Sequence, residues 1–354
     1  MRRILRHKYS IIIPILILNI ISLIYLANTE YFIKHLLYLI LSYFILIITS
    51  KINYHFILKY IKYFYLLSII LLFLVLIFGR EINGSKAWLH IYKFSFQPSE
   101  LTKIILIIYL SVLTIKQKNI IYLLIITIIP SILTFLEPDT GAILFYIIIF
   151  ISTLKYYKLN KKMIYLTTSI ISIFLISNII LYFTNKDFLI SIYGSKLFYR
   201  LDRLISFKEQ NNIQNINSLI SIGAHNLLYI PENHNDFIFA SIISKYNIFS
   251  FILIIISYFY IFYYYIENTF NNNKKNISNI INFIILNMLL FQTIYNILMN
   301  LSLLPIIGIP LPFLSYGGTY LITLFFIIGL SINLNHHSNN RKVLALVRKT
   351  VDED

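Results

Sequence analysis

The sequence contains no cysteine, which excludes disulfides and thiolate metal sites. Charge is nearly as scarce. Asp, Glu, Lys and Arg make up 12% of the 354 residues, against 58% hydrophobic. A soluble core of this length would need a far more charged surface, so lipid is the solvent for most of the chain. No small-residue cleavage site follows the basic start MRRILRHKYS, which predicts a retained first helix rather than a removed signal. A continuous basic face is missing too. The formal charge of +16 is split into short clusters between apolar runs, which excludes a nucleic-acid surface. The excess of Ile, Asn, Lys and Tyr matches a codon bias toward A and T, which itself inflates that charge.

What is present is a series of apolar runs of spanning length. They lie near 9–27, 35–50, 61–79, 99–115, 119–136, 139–157, 162–184, 237–266, 278–304 and 314–335. The expected fold is an all-α integral membrane protein of about ten transmembrane helices. A single transmembrane domain over 1–335 precedes a short cytoplasmic tail, 336–354. The longest segment between spans, about 185–236, is a large extracytoplasmic loop between helices 7 and 8. Its tract KEQNNIQNINS is expected to be mobile. An even number of spans puts both termini on one side. The segments sharing that side carry 19 of the 30 Lys and Arg, so the positive-inside rule makes it cytoplasmic. Ten of the 14 acidic residues fall at the opposite, outer ends.

Five stretches carry candidate chemistry. In GREINGSKAWLHIYKFSFQPSELTK, Trp88, the only tryptophan, suits the outer interface. Pro98 can open a helix, and Glu100 and Lys103, three apart, share a face and can pair. In LEPDTGA, Glu137 and Asp139 flank Pro138; carboxylates at membrane depth usually face a polar cavity. In YRLDR, Arg200 and Arg203 run against the charge bias and suit a phosphate clamp, with a surface ion cluster as the plainer alternative. In PENHNDFIFA, Glu232, His234 and Asp236 stand at the mouth of the eighth helix. The positive helix end there favours an ionised Asp236, which is either a general base or simply an N-cap. In NILMNLSLLPIIGIPLPFLSYGGT, four Pro and Gly positions forbid a regular helix before Ser315. Irregular backbone at that depth is tolerated where it is buried in protein or lines a cavity.

Taken in order, these stretches resemble the signature of the SEDS family of peptidoglycan glycosyltransferases, which includes RodA, FtsW and SpoVE. Its blocks fall on Asn83, Gly84, Trp88, Gln97, Pro98, Ser99, Glu100 and Lys103. They continue through Pro138, Asp139, Gly141 and Arg203, then Pro231, Glu232, His234, Asp236, Phe237, Ile238 and Phe239. They close on Asn300, Pro305, Gly308, Pro310, Pro312, Phe313, Ser315, Tyr316, Gly317 and Gly318. Two departures border the implied site. The family's glycine-rich stretch before the fourth block is reduced to Ile222, Gly223 and Ala224. Its EE-G after DFIF reads Ser244, Lys245 and Tyr246 here.

The resemblance implies glycan polymerisation from lipid II at the outer face of the bacterial inner membrane. Asp236 would be the catalytic carboxylate. Trp88, Glu100, Lys103, Asp139, Arg200, Arg203, Glu232, His234 and Ser315 would bind substrate. No metal ligand is assigned, although a divalent cation, Mg or Mn, could help neutralise a leaving diphosphate. The implied partners are a class B penicillin-binding protein transpeptidase and, for a RodA-like member, the elongation machinery. The GIPLPF run and the short chain are similar to RodA, whereas EPD after Leu136 and NGS at 83–85 are similar to FtsW. Cell elongation is therefore the preferred role, with division as its alternative. A lipid II flippase and a non-catalytic transpeptidase scaffold remain rivals from other classes.

Overall fold

The computed structural model describes residues 9–82, 85–91, 94–157, 213–224, 230–270 and 276–338, plus isolated positions between 180 and 191. The expected seventh span apart from Ile180 and Thr184, together with Asn83, Gly84, Arg200, Arg203 and the tail beyond Ser338, lies outside the described residues.

Nine of the expected spans coincide with helices: α1 (Ile12–Leu26), α2 (Phe32–Thr49), α3 (Tyr54–Phe78), α4 (Pro98–Ile115), α5 (Ile120–Leu136), α6 (Thr140–Leu154), α8 (Ile238–Phe270), α9 (Ile277–Asn300) and α10 (Gly318–Ser338). Six of these are long and apolar enough to cross a bilayer, and α1, α5 and α6 are shorter apolar helices. Their ends are set by local chemistry. Pro98 takes the first position of α4, where its missing N–H leaves no bond unmade. Asn53, Asn119 and Asp139 each accept a backbone N–H at the start of α3, α5 and α6.

Two features are additions to the expected pattern. A small antiparallel sheet, β1 (Arg80–Ile82), β2 (Ser85–Ile91) and β3 (Phe94–Phe96), joins α3 to α4 and carries Trp88 opposite Arg80. The polar tract expected to be mobile is in part a helix, α7 (Ile213–Ala224). Its polar residues are used for docking. Ser218 donates to the Asn300 carbonyl at 2.7 Å, and Ser302 donates to the Asn215 carbonyl at 2.9 Å. The buried face is the polar one, Asn215, Ser218 and Ser221, while Ile216, Leu219 and Ile220 are exposed, so the docking face is not the one apolar periodicity marks.

Helix packing follows membrane rules, with small residues where backbones meet. A Cβ on Gly329 of α10 would fall 2.7 Å from the Leu46 carbonyl oxygen of α2. Nearby, Asn333 donates to the carbonyls of Thr49 and Ile52, closing the end of α2. The eighth span is two helical pieces rather than one. Asn247 breaks it at φ 58°, ψ −163°. Counted on from Ser244, the glycine of the EE-G pattern falls on Asn247, so asparagine holds a backbone conformation that glycine adopts more readily.

Candidate active site

Four of the five stretches converge on one end of the bundle. At the start of α4, Gln97 and Ser99 both donate to Asp139 Oδ2 at 2.9 Å, while Asp139 Oδ1 accepts the Ala142 N–H. This carboxylate is saturated and ties α4 to α6. One residue of α6 further on, Gly141 faces the 305–312 loop, its Cβ position 3.8 Å from the Gly308 carbonyl oxygen. Gly308, at φ 75°, has its own Cβ position 3.5 Å from Asp236 Oδ2. Any side chain there would be strained by the positive φ, with its Cβ in contact with the aspartate. The expectation of a polar cavity under Glu137 and Asp139 is thereby corrected. Asp139 is a helix cap, and Glu137 is fully enclosed with neither carboxylate oxygen hydrogen-bonded. Burial, then the Asp139 charge, push the Glu137 acid up to about 9, so it is neutral near pH 7.

Asp236 closes the turn Pro231–Phe237 at the mouth of α8. Its carbonyl is clamped by two amides four residues apart on α9. Asn296 donates at 2.9 Å and Asn300 at 3.0 Å. Asn296 also donates to the Ile309 carbonyl, and Asn300 Oδ1 accepts the Ala240 N–H. The turn is further held by Ser315, which donates to the Asn235 carbonyl at 2.7 Å and accepts the Leu311 N–H. Tyr316 N–H donates to the His234 carbonyl. Within it, Glu232 sits at φ 59°, a conformation rarely kept without compensating contacts.

The Asp236 carboxylate itself has no hydrogen-bond or ion-pair partner among the described residues. An N-cap would accept a backbone N–H, so that plainer reading fails. The helix end does not dominate its ionisation as expected. Burial, with a further push from the Glu232 charge, raises its acid from the usual carboxylate range to about 7. A carboxylate poised there is matched to accept a proton at neutral pH.

His234 stacks on Tyr31 at 4.0 Å, and Glu232 lies 3.9 Å from its Nε2. Burial lowers the imidazole's basicity more than Glu232 and Glu30 raise it, so His234 is neutral at pH 7 and positions the turn by stacking. Deeper in the bundle, Lys103 donates to Glu100 Oε1 at 2.6 Å, as their spacing predicts. The pair borders a cavity of about 20 Å³, room for one water, with Gln292, Tyr320 and Thr323 in its wall. Trp88, on β2, makes no hydrogen bond to these groups among the described residues. Nor do the described residues group three His, Asp or Glu as a metal site. That donor set does not fit a protein-held divalent cation, so no step is routed through one.

Sequence reasoning missed Asn296 and Tyr31. Asn296 had a signal, an amide one turn before Asn300 on the same face of α9. Tyr31 had none, since its role depends on how the α1–α2 turn meets the 231–237 turn.

A helical bundle that crosses the bilayer repeatedly and holds a constrained, unpaired carboxylate at one end defines a multi-pass membrane protein with a single-ended polar site. The profile of the FtsW/RodA/SpoVE cell cycle protein family matches residues 7–340, and the chain belongs to that family. A protein of Wigglesworthia glossinidia brevipalpis, named a probable peptidoglycan glycosyltransferase FtsW, is 30% identical over 89% of this chain and 86% of its own length. A protein of the same name from Buchnera aphidicola subsp. Baizongia pistaciae is 31% identical over 90% and 87%. Two solved structures share the fold. Thermus thermophilus RodA has a TM-score of 0.70 at 18% identity, covering 95% of this chain and 98% of that one. A chain of a peptidoglycan synthase complex, described for its coordination of polymerization and crosslinking, reaches 0.80 at 20%, covering 95% and 99%.

Proposed function

We propose that this chain is a peptidoglycan glycosyltransferase that polymerises glycan strands from lipid II. The observation that carries the reading is the Asp236 carboxylate, unpaired and poised near pH 7 while its backbone is fixed by Asn296, Asn300 and Ser315. In the reaction, Asp236 accepts the proton of the acceptor GlcNAc 4-hydroxyl as its oxygen bonds to the anomeric carbon of the donor MurNAc. The bond from that carbon to the diphosphate breaks, and undecaprenyl diphosphate leaves with the electron pair. The configuration inverts, and the proton passes from Asp236 to water. A diphosphate leaves readily, so no general acid is required, in contrast to hydrolysis with its two carboxylates. Glu100 and Lys103, Glu232 and His234, Trp88, Asp139, Arg200, Arg203 and Ser315 are proposed to shape or bind around the substrate. Asp139, Ser315 and His234 do so through the backbone they hold.

The protein is proposed to sit in the bacterial plasma membrane with both termini cytoplasmic and the Asp236 end outside. A class B penicillin-binding protein is its proposed transpeptidase partner. Cell elongation, with its machinery as a further partner, is supported by the GIPLPF run. Division is the second reading, favoured by the FtsW names of the relatives and by the EPD and NGS positions.

The test is Asp236→Asn in proteoliposomes with labelled lipid II. Polymer yield is expected to fall by about 100- to 10,000-fold, the worth of general-base help, with lipid II binding retained. Strand synthesis at the wild-type rate would remove Asp236 from the mechanism. Translocation without polymer in the wild type would favour a flippase. Neither activity, even with the transpeptidase present, would favour a scaffold.

A further inference from the structure

The end of the bundle opposite Asp236 holds a second polar concavity. It is a cleft of about 580 Å³ between the start of α3, the α4–α5 turn and the start of α9. That volume is in the range of small-ligand sites. Lys59 and Lys62 reach it from one face of α3, Lys116 and Lys118 from the end of α4 and the turn beyond. No Asp or Glu stands among its described lining residues. Lysine side chains gathered at one concavity, with no carboxylate in its lining, complement an anion. The floor adds hydroxyls, with Tyr109 Oη and Tyr122 Oη 3.2 Å apart. The rest of the wall is Leu58, Ile61, Val112, Leu113, Ile115 and Ile277, with His55, Tyr60 and Tyr63 beside them.

Lysines at helix ends on one side are expected of any membrane protein. That rule explains their side of the membrane and not their convergence, with tyrosine hydroxyls, on a cleft. The mixture of ammonium, phenol and aliphatic surface matches a phosphodiester attached to an acyl chain better than a free ion, which has no use for the aliphatic wall.

We propose that this cleft binds the headgroup of an anionic phospholipid from the leaflet opposite the candidate active site. The phosphodiester sits among the four lysines and the glycerol and upper acyl carbons lie on the aliphatic wall.

The probes are dioleoyl phosphatidylglycerol, dioleoyl phosphatidylethanolamine and inorganic phosphate, each added to the full-length protein in neutral detergent. Native mass spectrometry reads retention and thermal melting reads stabilisation. Phosphatidylglycerol is expected to be retained and to raise the melting temperature, and the effect should weaken as salt rises. The triple variant Lys59→Gln, Lys62→Gln, Lys116→Gln should weaken apparent phosphatidylglycerol affinity at least about tenfold, the effect of losing 1.4 kcal/mol. Lys51→Gln, at the same end but outside the cleft, should leave it unchanged. The exposed single variant Lys62→Gln gives the same direction if the triple variant does not fold. Equal retention of phosphatidylethanolamine, unchanged retention by either cleft variant, or displacement of the lipid by millimolar phosphate would each overturn the proposal. None of these outcomes depends on whether the protein polymerises glycan.

Discussion

Helices α3 and α4 are neighbours of similar kind with opposite habits. The more apolar of the two, α3, has 28% of its most hydrophobic window buried, and α4 has 78%. In water this order would be reversed. In a bilayer the apolar helix can face lipid, and the polar residues must be turned inward. Glu100, Lys103 and Thr102 lie on α4, and the other well-buried helices, α9 and α10, bring Gln292, Asn296, Asn300 and Thr323. The bundle is organised around polar groups that lipid would not accept, and the candidate site grows from that polar interior toward one end.

Substitutions can break or sharpen this contrast. The largest expected effect is the loss of polymerisation in Asp236→Asn. Next is Lys103→Met on α4. It leaves Glu100 charged and enclosed, and breaking a buried pair costs about 3–5 kcal/mol. The melting temperature of the purified protein should fall sharply, and Glu100→Leu in the same chain should restore much of it. An unchanged melting temperature in Lys103→Met would show that the pair is solvated after all.

Within α3, the contrast can be drawn one residue apart. Leu72 is enclosed and Phe73 is 55% exposed. Leu72→Ala should cost about 2 kcal/mol, the low end for a buried leucine, since lipid replaces the hydrophobic part of the penalty. Phe73→Ala should change stability by less than about 0.5 kcal/mol, as an exposed position does. Equal melting temperatures for the two variants would contradict the inward placement of Leu72 and the outward placement of Phe73 on α3.

The smallest expected effect is electrostatic. Asp236 is a base only when ionised, and its acid is held near 7, so kcat/KM should rise with pH through about 7. The Glu232 charge contributes to that elevation, so Glu232→Gln should move the acid limb to lower pH. A limb that stays in place would assign it to another group.

The positions of nine spans, the Glu100–Lys103 pair and the four stretches that meet at one end were legible in the sequence, because each rests on local rules. Span length is fixed by the bilayer. A proline marks a helix start, and a three-residue offset puts two side chains on one face. The role of each carboxylate was not legible. Glu100, Glu137, Asp139 and Asp236 are all acids near helix ends in sequence. One is ion-paired, one is enclosed and neutral, one is a saturated cap, and one is unpaired at a rim. Nor did the pattern reveal the β-sheet, the folding of the 213–224 segment, or Asn247 in a glycine-like conformation.

The amino-acid order by itself determined how many times this chain enters lipid and which ends carry its polar residues, because the transfer of each segment from water to hydrocarbon depends on little beyond its own composition. Tertiary structure alone decided which acid keeps its proton and which can take one. Ionisation depends on the water and charge around a carboxylate. The charge is local, Glu232 near Asp236 and Asp139 near Glu137. The exclusion of water needs packing by segments distant in the chain, such as the 305–312 loop against Asp236.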